Sequence, residues 1–196
     1  METNNTNKGL ITCEDGRIRP AWATTSDLLK SYYDNEWGKP LTSENEAFER
    51  LALEGFQAGL SWEIVLKKRE ALREAFAHFD VDTVAEFDDE DVSRLLVNPA
   101  IIRNASKITA VIHNARCVQS LRDEGGLVAF LHSFAPEVWE PPQSVSTAAK
   151  TSPESSAMAK ELKRRGFEFV GPTTCFALME ATGIVNNRVV GSSDLK

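Results

Sequence analysis

Apolar residues recur at three- and four-residue spacing in two neighbouring stretches of the first half of the chain. In the first stretch, Ser43 and Glu46 form the pattern of a capping box, and the spacing that follows predicts a helix over 44–57. In the second stretch, Ser61 precedes apolar positions that share one helical face, so it is predicted to cap a second helix. A tight corner is therefore predicted between the two helices.

Helical periodicity also dominates most of the remaining chain, and no segment shows a convincing strand alternation. We therefore expect an all-α fold. Residues 1–26 show no periodicity and are expected to be loose, and 135–153, rich in Pro, Ser and Thr, are expected to form an extended loop. Further helices are predicted from Asp27, from Asp80 or Asp82, over 88–96, after a brief hairpin that follows Pro99 and up to Gly125-Gly126, over about 154–165 and over about 173–182.

The chain has 196 residues, of which 42% are hydrophobic and 26% charged, and this composition predicts one compact globular unit. No apolar run approaches the ~20 residues of a membrane span, and the polar start lacks a secretory signal, so we expect a cytoplasmic protein with no membrane partner. The three cysteines and three histidines lack metal-ligand spacing, so neither disulfides nor a zinc site are expected. The net charge of −7 argues against strong polyanion binding, although the clustered basic residues are compatible with one basic face.

The predicted corner brings a carboxylate, two glycines and an apolar side chain together within a few positions. Glu54 precedes the corner by one helical turn, and glycines at 55 and 59 allow Leu60 and Ser61 to be exposed at its apex. A helical glutamate is most often a solvated surface residue. Glu54, however, has only apolar residues and glycine as direct neighbours, which predicts a partly buried carboxylate that needs hydrogen-bond donors or a cationic ligand. Both interpretations stay open on these residues alone.

Two other stretches carry candidate binding chemistry. Tyr32, Tyr33 and Trp37 cluster before a Gly-Lys-Pro stop, where aromatic rings serve either as core or as a flat binding surface. Arg103 and Lys107 lie at the start of the long helix after Pro99, where free backbone N–H groups favour phosphate. An ordinary αα-hairpin explains the second stretch equally well.

Four strings in this order, YYDNEWGKP, LEGFQAGLSWEIVLKKRE, NPAIIRNASKI and LKRRGFEFVGPTTC, resemble the 3-methyladenine DNA glycosylase I family. The resemblance spans about 19–191 and implies an all-helical fold of the helix-hairpin-helix glycosylase superfamily. It implies a core over about 44–134 and a small helical subdomain formed by both chain ends, about 19–43 and 135–191. Residues 1–18 are then expected to be a loose arm, and 192–196 a tail.

The resemblance also implies a pocket for an extruded base. In the family pattern Glu54 matches the carboxylate that recognises the base, and Tyr32 and Trp62 match the rings between which it stacks. Trp22 and Trp37 match further aromatics of the pocket, and Gln57 falls on its polar wall.

The same resemblance implies how the duplex is held. Gly59 and Leu60 match the wedge that enters the DNA stack, and 98–107 match the hairpin that contacts the DNA backbone through Arg103 and Lys107. The hairpin has Ala100 where the family has glycine, which predicts an altered backbone at that point.

One departure from the family concerns a metal. Family members hold their chain ends together with a zinc ion bound by two cysteines and two histidines, and the matching positions here are Pro20, Tyr33, Arg188 and Ser192. These residues are not ordinary zinc ligands, so we expect a variant with no metal and no other cofactor.

The function implied by the resemblance is a DNA repair glycosylase that releases 3-methyladenine from alkylated double-stranded DNA and leaves an abasic site. A monomeric enzyme is expected. The alternative is a catalytically inactive module of the same fold that binds DNA. The lost zinc ligands favour the alternative, whereas the retention of Glu54, Tyr32 and Trp62 favours the enzyme.

Overall fold

The computed structural model describes residues 4–5 and 8–193, and it confirms a mostly helical fold. Within these residues, the strands and α-helices are β1 Asn4–Asn5, β2 Leu10–Thr12, β3 Ile18–Pro20, α1 Asp27–Asn35, α2 Glu44–Gln57, α3 Trp62–Ala75, α4 Val81–Ala85, α5 Asp89–Val97, α6 Ala105–Leu121, α7 Gly126–His132, α8 Pro153–Arg164 and α9 Pro172–Ala181. No helix in the described part of the chain is long and apolar enough to span a membrane.

The chain divides into two compact units, rather than the one unit that its composition predicts, and we call them the terminal unit and the helical unit. Among the described residues, the terminal unit holds the chain up to Pro40, Pro136–Lys150, and the chain from Glu180 onward. The helical unit holds Leu41–Ala135 and Thr151–Met179. This division differs from the predicted subdomain, because α8 and most of α9 belong to the helical unit.

The terminal unit contains a small antiparallel sheet in the order β1-β2-β3. Leu10 pairs with Pro20 and Thr12 with Ile18. The expectation of a loose arm over 1–18 is therefore wrong for the described residues that form these strands. Strands of two or three residues are too short to show an alternation along the sequence.

A buried arginine ties this sheet to α1. Arg19 on β3 is 1% exposed, and its guanidinium donates to both carboxylate oxygens of Asp34, at 2.9 and 2.7 Å. It also donates to both oxygens of Asp15, at 2.9 and 2.6 Å. Arg19 lowers the pKa of both carboxyl groups, so they stay ionised and compensate the buried charge.

The helical unit follows the predicted helix signals closely. The Ser43 side chain accepts from the Glu46 backbone N–H at 3.2 Å, although the Glu46 carboxylate bonds Thr42 rather than completing the box. Asp80, not Asp82, caps α4, and its side chain accepts from Thr83 N–H at 2.9 Å. The predicted stripe of α6 is buried along its whole length at Ile108, Val111, Ile112, Ala115, Val118 and Leu121.

Candidate functional site

The corner between α2 and α3 is formed as the sequence predicts. Gly59 has a φ of 78°, a left-handed conformation that glycine adopts without strain, and Leu60 N–H donates to Gln57 O at 2.7 Å. The Ser61 side chain then caps α3 by accepting from Ile64 N–H at 3.4 Å. Leu60 is 37% exposed at the apex, which is unusual for a leucine beside a folded core.

An open cleft of about 310 Å³ lies beside this corner. Glu54 faces it from α2 and is only 6% exposed, so the structure decides between the two interpretations of this carboxylate in favour of burial. The structure brings Glu54, Gln57, Gly59 and Leu60 together along one wall. The cleft is lined by these four residues and by Ala58, Thr173, Thr174 and Ala177.

Thr173, Thr174 and Ala177 are the cleft residues that sequence reasoning missed. They lie on the first turns of α9, more than a hundred residues after Glu54. The string GPTTC contributes to the family resemblance, but no local pattern in it indicates a cleft. Only tertiary packing places these threonines opposite the corner.

Buried Asn114 on α6 fixes the segment that leads into α9. Its amide donates to Glu168 O at 3.1 Å, and its carbonyl accepts from Glu168 N–H at 2.8 Å. The next residue, Phe169, has a φ of 55°, a left-handed conformation that costs energy for a residue with a Cβ. The Asn114 contacts offset that cost and define where α9 begins.

The structure corrects the assignment of Lys107 to DNA phosphate. Lys107 is 7% exposed, and its ammonium donates to Phe56 O at 2.8 Å and to Ala58 O at 2.5 Å. These carbonyls end α2, where a cation is favourable. Burial lowers the pKa of Lys107. Its charge therefore supports the corner from within and is not available to a phosphate.

The connection between α5 and α6 is a short turn over 98–104 that keeps Arg103 exposed. Asn98 accepts from Ala100 N–H at 2.9 Å, and Lys68 donates to Ala100 O at 2.8 Å. The φ angle of Ala100 is not positive, so alanine in place of the family's glycine causes no backbone strain at this position. Of the two basic residues predicted to contact phosphate, Arg103 is the exposed one, and its contact with DNA stays a prediction.

The predicted pocket aromatics fall in both units. Trp62 is the half-buried first residue of α3 in the helical unit. Tyr32 lies on α1 of the terminal unit and is 3% exposed. Trp22 and Trp37 belong to the same unit but lie outside α1. Trp22 contacts Trp37 edge to face at 5.9 Å between ring centroids, and both pack on Tyr33 at 5.5 Å. Their part in a base pocket stays a prediction.

The four residues at the positions of the family zinc ligands do not fit a zinc ion. The Pro20 side chain has no atom that binds a metal, and the Ser192 hydroxyl donates to Val189 O at 2.7 Å. The Arg188 guanidinium lies 4.2 Å from the Tyr33 ring centroid and would repel a cation. Within the described residues, no group of three or more His, Cys, Asp or Glu side chains could hold a metal ion. The expected absence of zinc itself stays a prediction.

Comparisons with known proteins agree with one another. A family model described as methyladenine glycosylase matches residues 22–194. DNA-3-methyladenine glycosylase 1 of Escherichia coli (strain K12) is 44% identical over 177 residues, which cover 88% of this chain and 94% of that protein.

Two solved structures give the same result. A crystal structure of 3-methyladenine DNA glycosylase I matches with a TM-score of 0.84 at 43% identity, covering 88% of this chain and 97% of that one. A variant of a 3-methyladenine DNA glycosylase I in complex with 3-methyladenine matches with a TM-score of 0.83 at 31% identity, covering 88% and 95%. With a family model over most of its length and a relative at this identity, the chain belongs to the methyladenine glycosylase family.

Proposed function

We propose that this protein is a monofunctional DNA glycosylase that hydrolyses the bond between 3-methyladenine and its deoxyribose in alkylated duplex DNA. The observation that carries the proposal is the buried carboxylate of Glu54 in a cleft beside the exposed Leu60. The cleft volume of about 310 Å³ lies at the lower end of the range for small-molecule sites, about 300–1,000 Å³. The names of its relatives support the same substrate.

The duplex has to open before the base can enter the cleft. Extrusion of a nucleotide costs a few kcal/mol and is easiest where pairing is already damaged. Leu60 is apolar, exposed and held at the apex of a rigid corner. We assign it to the gap that the extruded base leaves in the stack, with Gly59 allowing close approach of the duplex.

Recognition then depends on charge. Methylation at N3 gives adenine a positive charge, whereas the undamaged base is neutral. The Glu54 carboxylate accepts hydrogen bonds from the cationic base, and the Trp62 ring offers it a flat face. Gln57, Thr173 and Thr174 supply polar atoms around the same cleft.

Hydrolysis needs little further assistance in this scheme. The positive charge weakens the glycosidic bond, so the base leaves as neutral 3-methyladenine when the bond electrons move onto the ring. Water adds at the sugar C1′, gives up a proton and yields an abasic site. No covalent enzyme intermediate is formed. Glu54 acts by stabilising the charged base in the cleft.

The proposed setting follows from the substrate. The partner is double-stranded DNA that carries alkylated adenine, and the protein acts as a monomer in the cytoplasm with the nucleoid. The rival function is a module that binds altered DNA without cleavage. Release of free base from a duplex containing 3-methyladenine separates the two, because a module binds the same duplex and releases nothing.

The test of the site is Glu54→Gln, which keeps the shape of the side chain and removes its charge. Loss of a charge-assisted hydrogen bond costs about 1.5–3 kcal/mol. Single-turnover excision of 3-methyladenine at subsaturating protein, whose rate includes recognition of the base, should therefore slow by roughly tenfold to a hundredfold. Affinity for undamaged duplex should stay the same, because such a duplex presents no base to the cleft.

Glu70→Gln is the matched control, since Glu70 is an exposed carboxylate on α3 paired with Arg73. It should leave excision unchanged. Thermal unfolding of all three proteins checks that they are folded. Equal excision by the Glu54 variant and the parent protein, or the joint loss of excision, duplex binding and folding, would show that Glu54 has no recognition role.

A further inference from the structure

The terminal unit contains a buried cation that the proposed function does not use. Arg188 is 9% exposed, and its Nη2 donates to Tyr33 O at 3.0 Å and to Trp37 O at 2.8 Å. Tyr33 lies in α1 and Trp37 just after it, where the last carbonyls of the helix lack partners along the chain. Through these two hydrogen bonds, Arg188 links the end of α1 to a part of the chain that lies 151 positions after Trp37.

The same guanidinium lies against an aromatic cluster formed by Trp22, Tyr33 and Trp37. Its central carbon is 4.2 Å from the Tyr33 ring centroid and 5.2 Å from the Trp37 ring centroid. Tyr33 and Trp37 are stacked with an interplanar angle of 21°, and Trp22 packs edge to face on both. A planar guanidinium suits this arrangement because it can stack and donate hydrogen bonds at the same time.

Arg188 has no carboxylate within salt-bridge distance in the described part of the chain. Its charge is stabilised by the two carbonyls and the two rings instead. The Nη1 atom is buried without a hydrogen-bond partner, as are Tyr33 Oη and Asn187 Oδ1. All three residues line one cavity of about 60 Å³, which is large enough for ordered water or for a small planar cation in place of the side chain.

We propose that Arg188 is a positioning residue that holds the Trp22–Tyr33–Trp37 cluster in its working geometry and does so without a metal ion. This inference rests on the proposed function, since it concerns rings that the family resemblance assigns to base binding. Arg188 acts by fixing the Trp37 ring and the backbone at Tyr33 and Trp37 through contacts that only a guanidinium makes together.

The test is chemical rescue of Arg188→Ala. The variant should excise 3-methyladenine about tenfold to a hundredfold more slowly than the parent protein, because loss of positioning is costly to rate. Guanidinium at millimolar concentration should restore most of the activity and the near-UV circular dichroism of the Trp22–Trp37 pair. Urea, which has a similar shape and no charge, and sodium at equal ionic strength should not.

Two variants complete the design. Arg188→Lys keeps a charge but not the planar fork, so its activity should lie between those of the parent protein and Arg188→Ala. Arg17→Met removes a half-exposed arginine of the same unit that pairs with Asp34, and it should leave the near-UV signal unchanged. A chelator should alter neither the activity nor the melting temperature of the parent protein.

Each outcome separates the two proposals. A parent protein that releases no base refutes the proposed function, and the circular dichroism rescue still tests the role of Arg188 in the cluster. A parent protein that is active while Arg188→Ala excises equally well refutes the inference alone. Rescue by urea as well as guanidinium, no rescue in a folded variant, or about one zinc per chain by elemental analysis would also overturn it.

Discussion

Glu180 illustrates how burial changes a single residue. It lies on the last turn of α9, and burial raises its pKa to about 7 although Asn187 donates to its carboxylate at 2.6 Å. In the unfolded chain the same group titrates near 4.5. The folded state therefore holds a proton that the unfolded state loses between these two pH values. The contribution of Glu180 to stability is therefore most favourable below about pH 4.5, and it falls as the pH rises to about 7.

We predict that Glu180→Gln removes this pH dependence. A rise in pKa from 4.5 to about 7 corresponds to a change in the free energy of unfolding on the order of 3 kcal/mol. The variant should be more stable than the parent protein by about that amount at pH 8 and by little at pH 4.5. Denaturant unfolding at both pH values measures the difference. A stability difference that is the same at both pH values would contradict the buried, protonated state.

At the scale of elements, the corner between α2 and α3 depends on a residue from a third helix. Lys107 on α6 bonds the carbonyls of Phe56 and Ala58, so the last turn of α2 is anchored just before Gly59 and Leu60. The corner is thus held from below by a buried ammonium. Its rigidity is what allows an exposed leucine to keep a defined position.

We predict that Lys107→Met destabilises the fold by about 1–3 kcal/mol, because two helix-terminal carbonyls lose their donor. Excision should also slow, since the corner carries Leu60. Affinity for undamaged duplex and its dependence on salt should not change. Lys67→Met, at an exposed position paired with Glu63, is the control and should leave stability within about 0.5 kcal/mol. A reduced salt dependence in the Lys107 variant would restore the phosphate role.

At the scale of the whole molecule, the charge of −7 opposes a polyanionic substrate. Many of the basic side chains already serve the protein itself. Lys68 bonds the backbone of the turn before α6, Arg116 donates to Ala85 O, and Arg122 pairs with Glu44. Duplex binding is therefore expected to be modest and strongly dependent on salt.

We predict that Arg103→Gln weakens binding to any duplex and lowers the slope of log K against log salt by about 1. The turn exposes the Arg103 side chain, so its replacement should leave the free energy of unfolding unchanged. Lys160→Gln makes the same charge change at an exposed position on α8 and is the control. Equal binding by the two variants would exclude the turn as the phosphate contact.

Much of the fold was predictable because its signals are local. Ser43, Ser61, Asp80 and Asp88 cap helices through side-chain bonds that reach only two or three residues along the chain. The amphipathic stripe of α6 is likewise visible within one segment. The position of the corner and the exposure of Leu60 at its apex were predicted from glycines and a helix cap within a few positions. The base pocket and the DNA wedge were predicted only from the family resemblance, which rests on longer strings of residues.

Only the tertiary structure decided the features that depend on distant partners. Lys107 looks like a surface cation in the sequence, and it is buried because carbonyls 49 and 51 residues away accept its bonds. Thr173 and Thr174 reach the cleft because Asn114 fixes a segment 54 residues later. Arg188 likewise links to α1 and is not a surface charge, because its guanidinium donates to a carbonyl far away in the sequence. Local periodicity determines which segments become helices, whereas the burial of a charge depends on which carbonyls and rings the folded chain brings to it.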